Sequence, residues 1–421
     1  MKKLIFILSI LLVLPIMLFA QTNASTVTEI GENHKSTVDQ TGIFNTSVIN
    51  QETSENTAVV TQSNINKFVK TNSVVNQTGE TNKATVKQTS KSMLGIGTMD
   101  ALIDQSGNQN EALQVQGPHT FQGQTKAEIN QSGDFNFASQ HQVKVGNEAK
   151  IDQSGDNNKA EQGQDIELLD NEEGSLNNAN IVQIGNSNGA FQQQNGLANI
   201  ASISQSAGGN TANQTQYGGT NYALAVQDGS DNISIQDQKL VFNNAVVNQS
   251  GDRNFAQQTQ NMGGFNNAMI DQSGAGNNAV QLQSGLTNSA NADQSGAGNN
   301  SEQSQIGPKN NATTEQSSNY NNAVVIQTGR SNDASIIQKT GDNNIVNLTQ
   351  NGGSIANITQ DGDNNILMGI GTDIIATSLD GSTLSLDQIG SGNILHLQQA
   401  NESTATVYQN GIANTSVVIQ N

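Results

Sequence analysis

Through most of this chain, small or apolar residues and amides alternate with mixed polar ones at every second position. A glutamine closes each such run and recurs every 11 residues, as at Gln183, Gln194, Gln205, Gln216, Gln227, Gln238, Gln249 and Gln260. The interval reads Q-x-G-x-x-N-x-A-x-x-x-Q: Gln77, Gly79, Asn82, Ala84, Gln88 in one copy, Gln249, Gly251, Asn254, Ala256, Gln260 in another. Near the end Gln409, Gly411, Asn414 and Gln420 repeat it with Ser416 in the Ala place; Gln40, Gly42 and Gln51 fit near the start, and Gly329 later. Asn, Ala, the position two before Gln, and Gln are spaced by two, which predicts a short strand with these four on its inner face. The x-G-x-x stretch predicts an arc in which Gly supplies an unusual φ. An 11-residue period also suits a right-handed coiled coil. Asn and Gly at fixed places in every copy would penalise that helix heavily.

A longer period overlies the first. The position two before Gln reads Ile103, Gln114, then Ile151, Gln162, then Ile203, Gln214, then Val247, Gln258. The unit is therefore 22 residues, two unlike strands each followed by an arc. Both strands turn aliphatic near the ends, at Val38, Ile49 and Val60 and at Leu397, Val407 and Val418. Extra residues fall in the Gln62–Gln77, Gln88–Gln105, Gln116–Gln131 and Gln164–Gln183 intervals, all in the same one of the two arcs. A fifth insertion, between Gln360 and Gln388, aligns the same way with Gly371 in a Gln place. The largest insertions cover about 89–99, 165–176 and 368–384. Pro118 is expected in an insertion and Pro308 in an arc, which keeps proline out of the paired strands. The expected fold is all-β: a β-solenoid of about 16 two-strand rungs, with two facing parallel in-register sheets of cross-β type. Each stacked amide should donate to its equivalent above and accept from the one below, which avoids the cost of about 1–3 kcal/mol for a lone buried amide.

Composition sharpens this. Only 33% of residues are hydrophobic and 4% aromatic, too few for ordinary globular cores. Yet there are 3 Pro and 13% charged residues, unlike a disordered chain, and the excess is Asn, Gln, Ser, Thr and Gly. The formal charge is −19, which disfavours nucleic acid and anionic membranes as partners. No cysteine is present, so disulfides and thiolate sites are excluded. Lys2, Lys3 and the apolar run from Leu4 to Leu18 predict a secretory signal over 1–20, cut near Ala20, followed by a leader over 21–28 and the array over 29–421. That predicts a secreted chain with no membrane insertion.

The paired Q-x-G-x-x-N-x-A-x-x-x-Q pattern, repeated along the chain behind a secretion signal, resembles the curlin repeat of bacterial curli fibre subunits, the major subunit more than the nucleating one. The resemblance implies a functional amyloid exported through an outer-membrane channel, nucleated at the cell surface by a partner subunit, and serving biofilm cohesion and adhesion. It marks the Gln, Asn and Ala/Ser positions as stacking residues. The array here is longer than in familiar curlins, and Gln21 to Thr28 hold no glycine where those proteins carry a Gly-rich leader.

Candidate chemistry is sparse, and neither a cofactor nor a metal is expected. His34, His119, His141 and His396 lack ligand spacing. Asp361-Gly362-Asp363-Asn364-Asn365 begins like a calcium loop but has Ile366 where glycine is required. Asp165, Glu167, Asp170, Glu172 and Glu173 make an acidic insertion, and Gly-Ile-Gly-Thr occurs at both Gly95–Thr98 and Gly369–Thr372 without an evident role. The array runs to Gln420 with no atypical cap, so end-to-end self-association into a filament is the expected function, rather than catalysis. The alternatives are a monomeric β-solenoid adhesin or ice-binding protein, and a β-helix polysaccharide enzyme. Mixed outward positions such as Thr85, Lys87, Phe137, Ser139, Met269 and Asp271 disfavour the first.

Overall fold

A computed structural model describes residues 22–90, 96–119, 123–144, 146–164, 176–370 and 375–421. The expected signal segment, the acidic insertion at 165–173 and Gly371 lie outside the described residues. Strands alternate between two sheets, and every pairing is parallel. The first sheet has 17 strands, from Ala24–Glu32 to Thr404–Ile412. The second runs from Lys35–Gly42 to Thr415–Ile419. Among the described residues the end strands of both sheets pair on one side only: Ala24–Glu32 with Asn45–Ser54 and Thr404–Ile412 with Thr383–Ser391 in the first sheet, Lys35–Gly42 with Thr57–Asn64 and Thr415–Ile419 with Ile394–Gln399 in the second. The result is a β-solenoid of 17 rungs. At about 4.8 Å per rung it is roughly 80 Å long.

Register holds equivalent residues directly above one another. Gln183 pairs with Gln205, and Gln216 with Gln238. Through the middle of the array burial alternates inside the strands, as in Asn278–Ser284. The core between the sheets is narrow: one layer of Ala, a second of Ile or Val facing Gln, and a third of Gln. Ile103, Ile151, Ile203, Val247, Ala84 and Ala256 are fully buried there.

Ordered stacking starts earlier than the motif does. Ala24–Glu32 pairs in register with the next first-sheet strand, placing Val27 on Ile49 and Glu29 on Gln51. The stretch expected as a leader therefore overlaps the first rung. The other early departure is Pro118, which lies at the end of strand Glu111–His119 rather than in an insertion. Pairing to the strand below slips there, between Gln88 and Ser90. A strand end with broken register tolerates a residue that has no N–H.

Arcs within a rung, from first sheet to second, form one edge of the solenoid. Arcs between rungs, from second sheet to first, form the other. Four of the insertions lie on the between-rung edge, for example between Thr57–Asn64 and Val69–Glu80. The fifth does not. It splits a second-sheet strand into Ile366–Met368 and Ala376–Ser378, both pairing with the same strand below. Ser378 stands over Gln350, so serine and not Gly371 takes the Gln place in that rung.

Candidate functional site

The chemistry of this chain lies in its stacked amides. Through most of the array an inward Gln at a strand end donates one Nε2 hydrogen to the Gln Oε1 of the next rung and one across the core to a backbone carbonyl of the facing strand. Gln249 reaches Gln272 at 2.9 Å and the Ile233 carbonyl at 3.0 Å. Gln194 reaches Gln216 at 2.9 Å and the Asn178 carbonyl at 3.0 Å. Both amide hydrogens are used and the oxygen accepts from below, which makes a buried amide tolerable. Gln77, Gln88, Gln183, Gln205, Gln216 and Gln260 bond in the same way, and Gln51 donates to Gln77. The bonds also tie the two sheets together at every level.

A second, inner column runs only through the middle of the second sheet, from Gln114 through Gln140, Gln162, Gln192 and Gln214 to Gln303. It ends where Gln303 donates to Thr314 Oγ1 at 3.1 Å. Every Gln-to-Gln bond named here donates from the lower-numbered residue to the higher. The columns therefore have a direction along the axis.

Asparagine behaves differently from the expectation of amide on amide. Asn82 Oδ1 accepts the backbone N–H of Asn110, while Asn82 Nδ2 donates to the Thr78 carbonyl and to the Gly107 carbonyl of the next rung. Asn254 does the same with Asn277, Ser250 and Gly274. With one methylene fewer than Gln, the Asn amide reaches its own arc and the arc above. It therefore holds the turn in place and joins consecutive arcs. At Asn221 and Asn344 an amide-to-amide bond is added.

The arc glycines all have positive φ: Gly42 92°, Gly79 108°, Gly251 92°, Gly329 84° and Gly411 122°. For Gly251 a side chain is barred twice, because a Cβ would also lie 2.2 Å from the Gly274 carbonyl oxygen. A second left-handed residue in each arc had no sequence signal. It precedes the Asn and is seldom glycine, as Phe135 (φ 60°), Asp231 (φ 58°) and Arg253 (φ 57°) attest. Beside it, Asp or Asn side chains accept from the backbone N–H one rung below, as Asp134 does from Asn108 and Asp156 from Asp134. An Asp or Asn directly after the arc Gly is the pattern that could have marked this ladder.

At the rungs that bound the array these ladders are incomplete. Gln40 donates upward to Gln62 at 2.9 Å, and at the first-sheet position below Gln51 stands Glu29, exposed. Gln51 Oε1 takes its hydrogen instead from Ser36 at 2.8 Å. At the other end Gln409 bonds back to Ser416 at 3.1 Å, Gln420 donates to the Thr404 carbonyl at 2.7 Å, and Asn414 is exposed. In the Gln columns, then, Gln40 leaves its Oε1 without a donor at the lower end, and Gln420 has an Nε2 hydrogen to spare at the upper end.

Elsewhere, His34 Nε2 lies 3.2 Å from the Ile30 carbonyl oxygen and His396 Nδ1 2.8 Å from that of Gly369. Among the described residues no group of three or more Asp, Glu or His is placed to hold a metal. On the outer face Asp271 and Asp293 stack in register. Burial, then the Asp293 charge, raises the Asp271 pKa.

A family model described as the Curlin associated repeat matches residues 307–339. That window holds strands Asn311–Ser317, Asn322–Thr328 and Asp333–Gln338, with Gln316, Gln327 and Gln338 in their stacking places. The chain therefore carries curlin-like repeats on a β-solenoid. No curated protein matches the chain.

Proposed function

We propose that this chain is the structural subunit of an extracellular amyloid-type fibre, growing by end-to-end stacking of solenoids. The observation that carries the reading is the direction of the amide columns. A solenoid whose Gln columns run one way, with Gln40 Oε1 open at the lower end and an Nε2 hydrogen of Gln420 at the upper, fits a second copy upper end to lower. A head-to-tail contact of that kind does not close on itself and yields a filament. The side chains at the two ends are compatible. Extending the register by one rung sets Val407 on Val27, Val418 on Val38 and Gln420 on Gln40. The open edges supply unpaired backbone groups for the same contact.

The curlin-like repeats support a role in a cell-surface matrix, with cohesion and adhesion as its outcome and no enzymatic step. By the same resemblance a nucleating subunit and an outer-membrane export channel are proposed as partners, and the chain as secreted after cleavage near Ala20. The experiment is to purify the chain without residues 1–20 and follow thioflavin fluorescence, with fibre diffraction of the product. A rise in fluorescence with reflections near 4.8 and 10 Å is expected. Gln409→Ala with Gln420→Ala should slow growth, whereas Lys87→Ala with Asp271→Ala should not. A soluble, dye-silent monomer after long incubation would sink the reading and favour a monomeric adhesin.

A further inference from the structure

The rung at the lower end of the array departs from the repeat at two places, and both hold titratable side chains. In the Q-x-G-x-x-N frame, Glu29-x-Gly31-x-x-His34 puts a carboxyl in the Gln place and an imidazole in the Asn place. Register agrees, since Glu29 pairs with Gln51. His34 copies part of the Asn role. Its Nε2 lies 3.2 Å from the Ile30 carbonyl oxygen four residues back, as Asn82 Nδ2 lies 3.3 Å from that of Thr78. Its Nδ1 is enclosed and has no hydrogen-bond partner.

In the free chain Glu29 is exposed. End-to-end stacking changes that. Extending the register by one rung sets Gln409 of one copy beneath Glu29 of the next, and Asn414 beneath His34. A Gln in the Glu29 place would use both amide hydrogens. One would go upward, as Gln77 donates to Gln105 at 2.8 Å. The other would go across to the first carbonyl of the facing strand one rung lower, as Gln409 donates to that of Ile394 at 2.9 Å. At the joint those two acceptors are Gln51 Oε1 and the Thr415 carbonyl of the lower copy. A carboxylate accepts from Gln409 but has no hydrogen for either, so the joint would enclose a charge against two acceptors, which is costly. Among the described residues no cation on the inner side offsets it. Lys35 and Asp39 are exposed on the outer face of the neighbouring strand, and Glu32, Glu52 and Glu55 are exposed too. The inward residues of the upper end, Ala405, Val407, Ser416 and Val418, are neutral. His34 is the titratable neighbour that remains.

We propose that the end-to-end joint takes up one proton at Glu29 and His34, so that fibre growth is restrained in mildly alkaline solution and released in mild acid. The inference rests on the fibre reading and adds to it a control at the joint. Protonated at the carboxyl, Glu29 donates to Gln51 Oε1 or to the Thr415 carbonyl and fills the Gln place. Protonated at the imidazole instead, His34 supplies the counter-charge. Either way the joined state holds one proton more than the two free ends hold at about pH 8, so association tightens as pH falls from there. For one proton the limit is about tenfold per pH unit.

The test measures how much chain, freed of residues 1–20, stays soluble once seeded growth has levelled off, at about pH 8, 7 and 6.5. Ordinary carboxyls keep their charge across that interval, so the general acidity of the chain contributes little. For the wild type the soluble concentration should fall about tenfold or more from the highest pH to the lowest. Glu29→Gln should join at the highest pH as tightly as the wild type does at the lowest, and change little between them. Glu52→Gln removes one exposed charge a rung higher and should follow the wild type. Glu29 is exposed in the free chain, so Glu29→Gln should melt as the wild type does, and its effect is read at the joint. A wild type indifferent to pH, an equal slope in Glu29→Gln, or an equal loss of slope in Glu52→Gln would overturn the proposal and leave the fibre reading standing. No filaments from any of the three chains at any of these pH values would sink the fibre reading and this proposal with it.

Discussion

Val86 lies directly beneath Gln114 in the second sheet, and the Gln114 Oε1, fully buried, has no hydrogen-bond donor. The inner amide column starts here, above a rung that presents a methyl group where the rungs higher up present Nε2. A buried acceptor left alone costs about 1–3 kcal/mol. Val86→Thr would place a hydroxyl beneath Gln114. The same change at Val60, whose neighbours in its column are Val38 and Val86, buries a hydroxyl without an amide above it. Val60→Thr is expected to destabilise by about 1–3 kcal/mol. Val86→Thr is expected to be near neutral, because the new bond offsets the loss. Thermal melts of the two variants give the comparison, and equal losses would mean the orphan is satisfied by other means.

Breaking the column in its middle should be worse than trimming an aliphatic. Gln214 accepts from Gln192 and donates to Gln236 and to the Ser202 carbonyl. Gln214→Leu leaves the Gln236 oxygen without a donor, the Gln192 amide without its ladder acceptor and the Ser202 carbonyl without its cross-core bond. A loss of about 2–4 kcal/mol is expected. Ile203→Val, one methylene removed from the fully buried first-sheet layer, should cost about 0.5–1.5 kcal/mol. Denaturant midpoints would rank them, and the reverse order would show that packing, not amide pairing, holds the middle rungs.

The strands, their inner faces and the 22-residue unit were readable in the sequence because side chains alternate with period two and register repeats the same residue types. What escaped was decided by reach and by backbone. Asn82 and Gln77 carry the same amide, and no pattern of letters tells stacking from arc capping. The shorter arm of Asn decides it. The first rung escaped because Glu29 stands in a Gln place while the backbone keeps its register with Gln51. The split strand escaped because spacing counts residues but cannot say that a bulge lies inside a strand, so Ser378 went unrecognised in a Gln place. The left-handed residues before each Asn vary too widely, from Phe135 to Arg253, to leave a signal.

Glycine should matter by position rather than by type. Gly251 combines φ 92° with a backbone carbonyl oxygen 2.2 Å from where a Cβ would sit. Gly276 has φ 67° and open space around that point. Gly276→Ala therefore meets only the left-handed penalty, about 1 kcal/mol. Gly251→Ala must also push apart two rungs, and a loss above about 3 kcal/mol is expected. Circular dichroism melts would separate them. Similar small losses at both positions would mean that the rungs are not packed at the spacing described.

Two outer-face carboxyls should tune stability in opposite directions with pH. Asp271 has its pKa raised, by burial first and by the stacked Asp293 second. The folded chain then holds that proton more tightly than the unfolded chain, so stability contributed by this site rises as pH falls through the raised value. Asp271→Asn should be more stable than wild type at neutral pH, with the advantage gone below the ordinary carboxylate range. The side chain is only half-buried, so the gain is about 0.5 kcal/mol or less. For Glu128 burial works against the charge, but the Asn130 hydrogen bond at 2.9 Å and then Lys150 and Lys126 outweigh it and lower the pKa. Its contribution is present above the ordinary carboxylate value and lost as pH falls through the lowered one. Glu128→Gln should therefore be the less stable chain at neutral pH and draw level with wild type in acid. From neutral pH down to about pH 3 the stability differences of the two variants from wild type should fall towards zero from opposite sides. Parallel curves would contradict the stacking of Asp271 on Asp293 or the placement of Glu128 between the lysines.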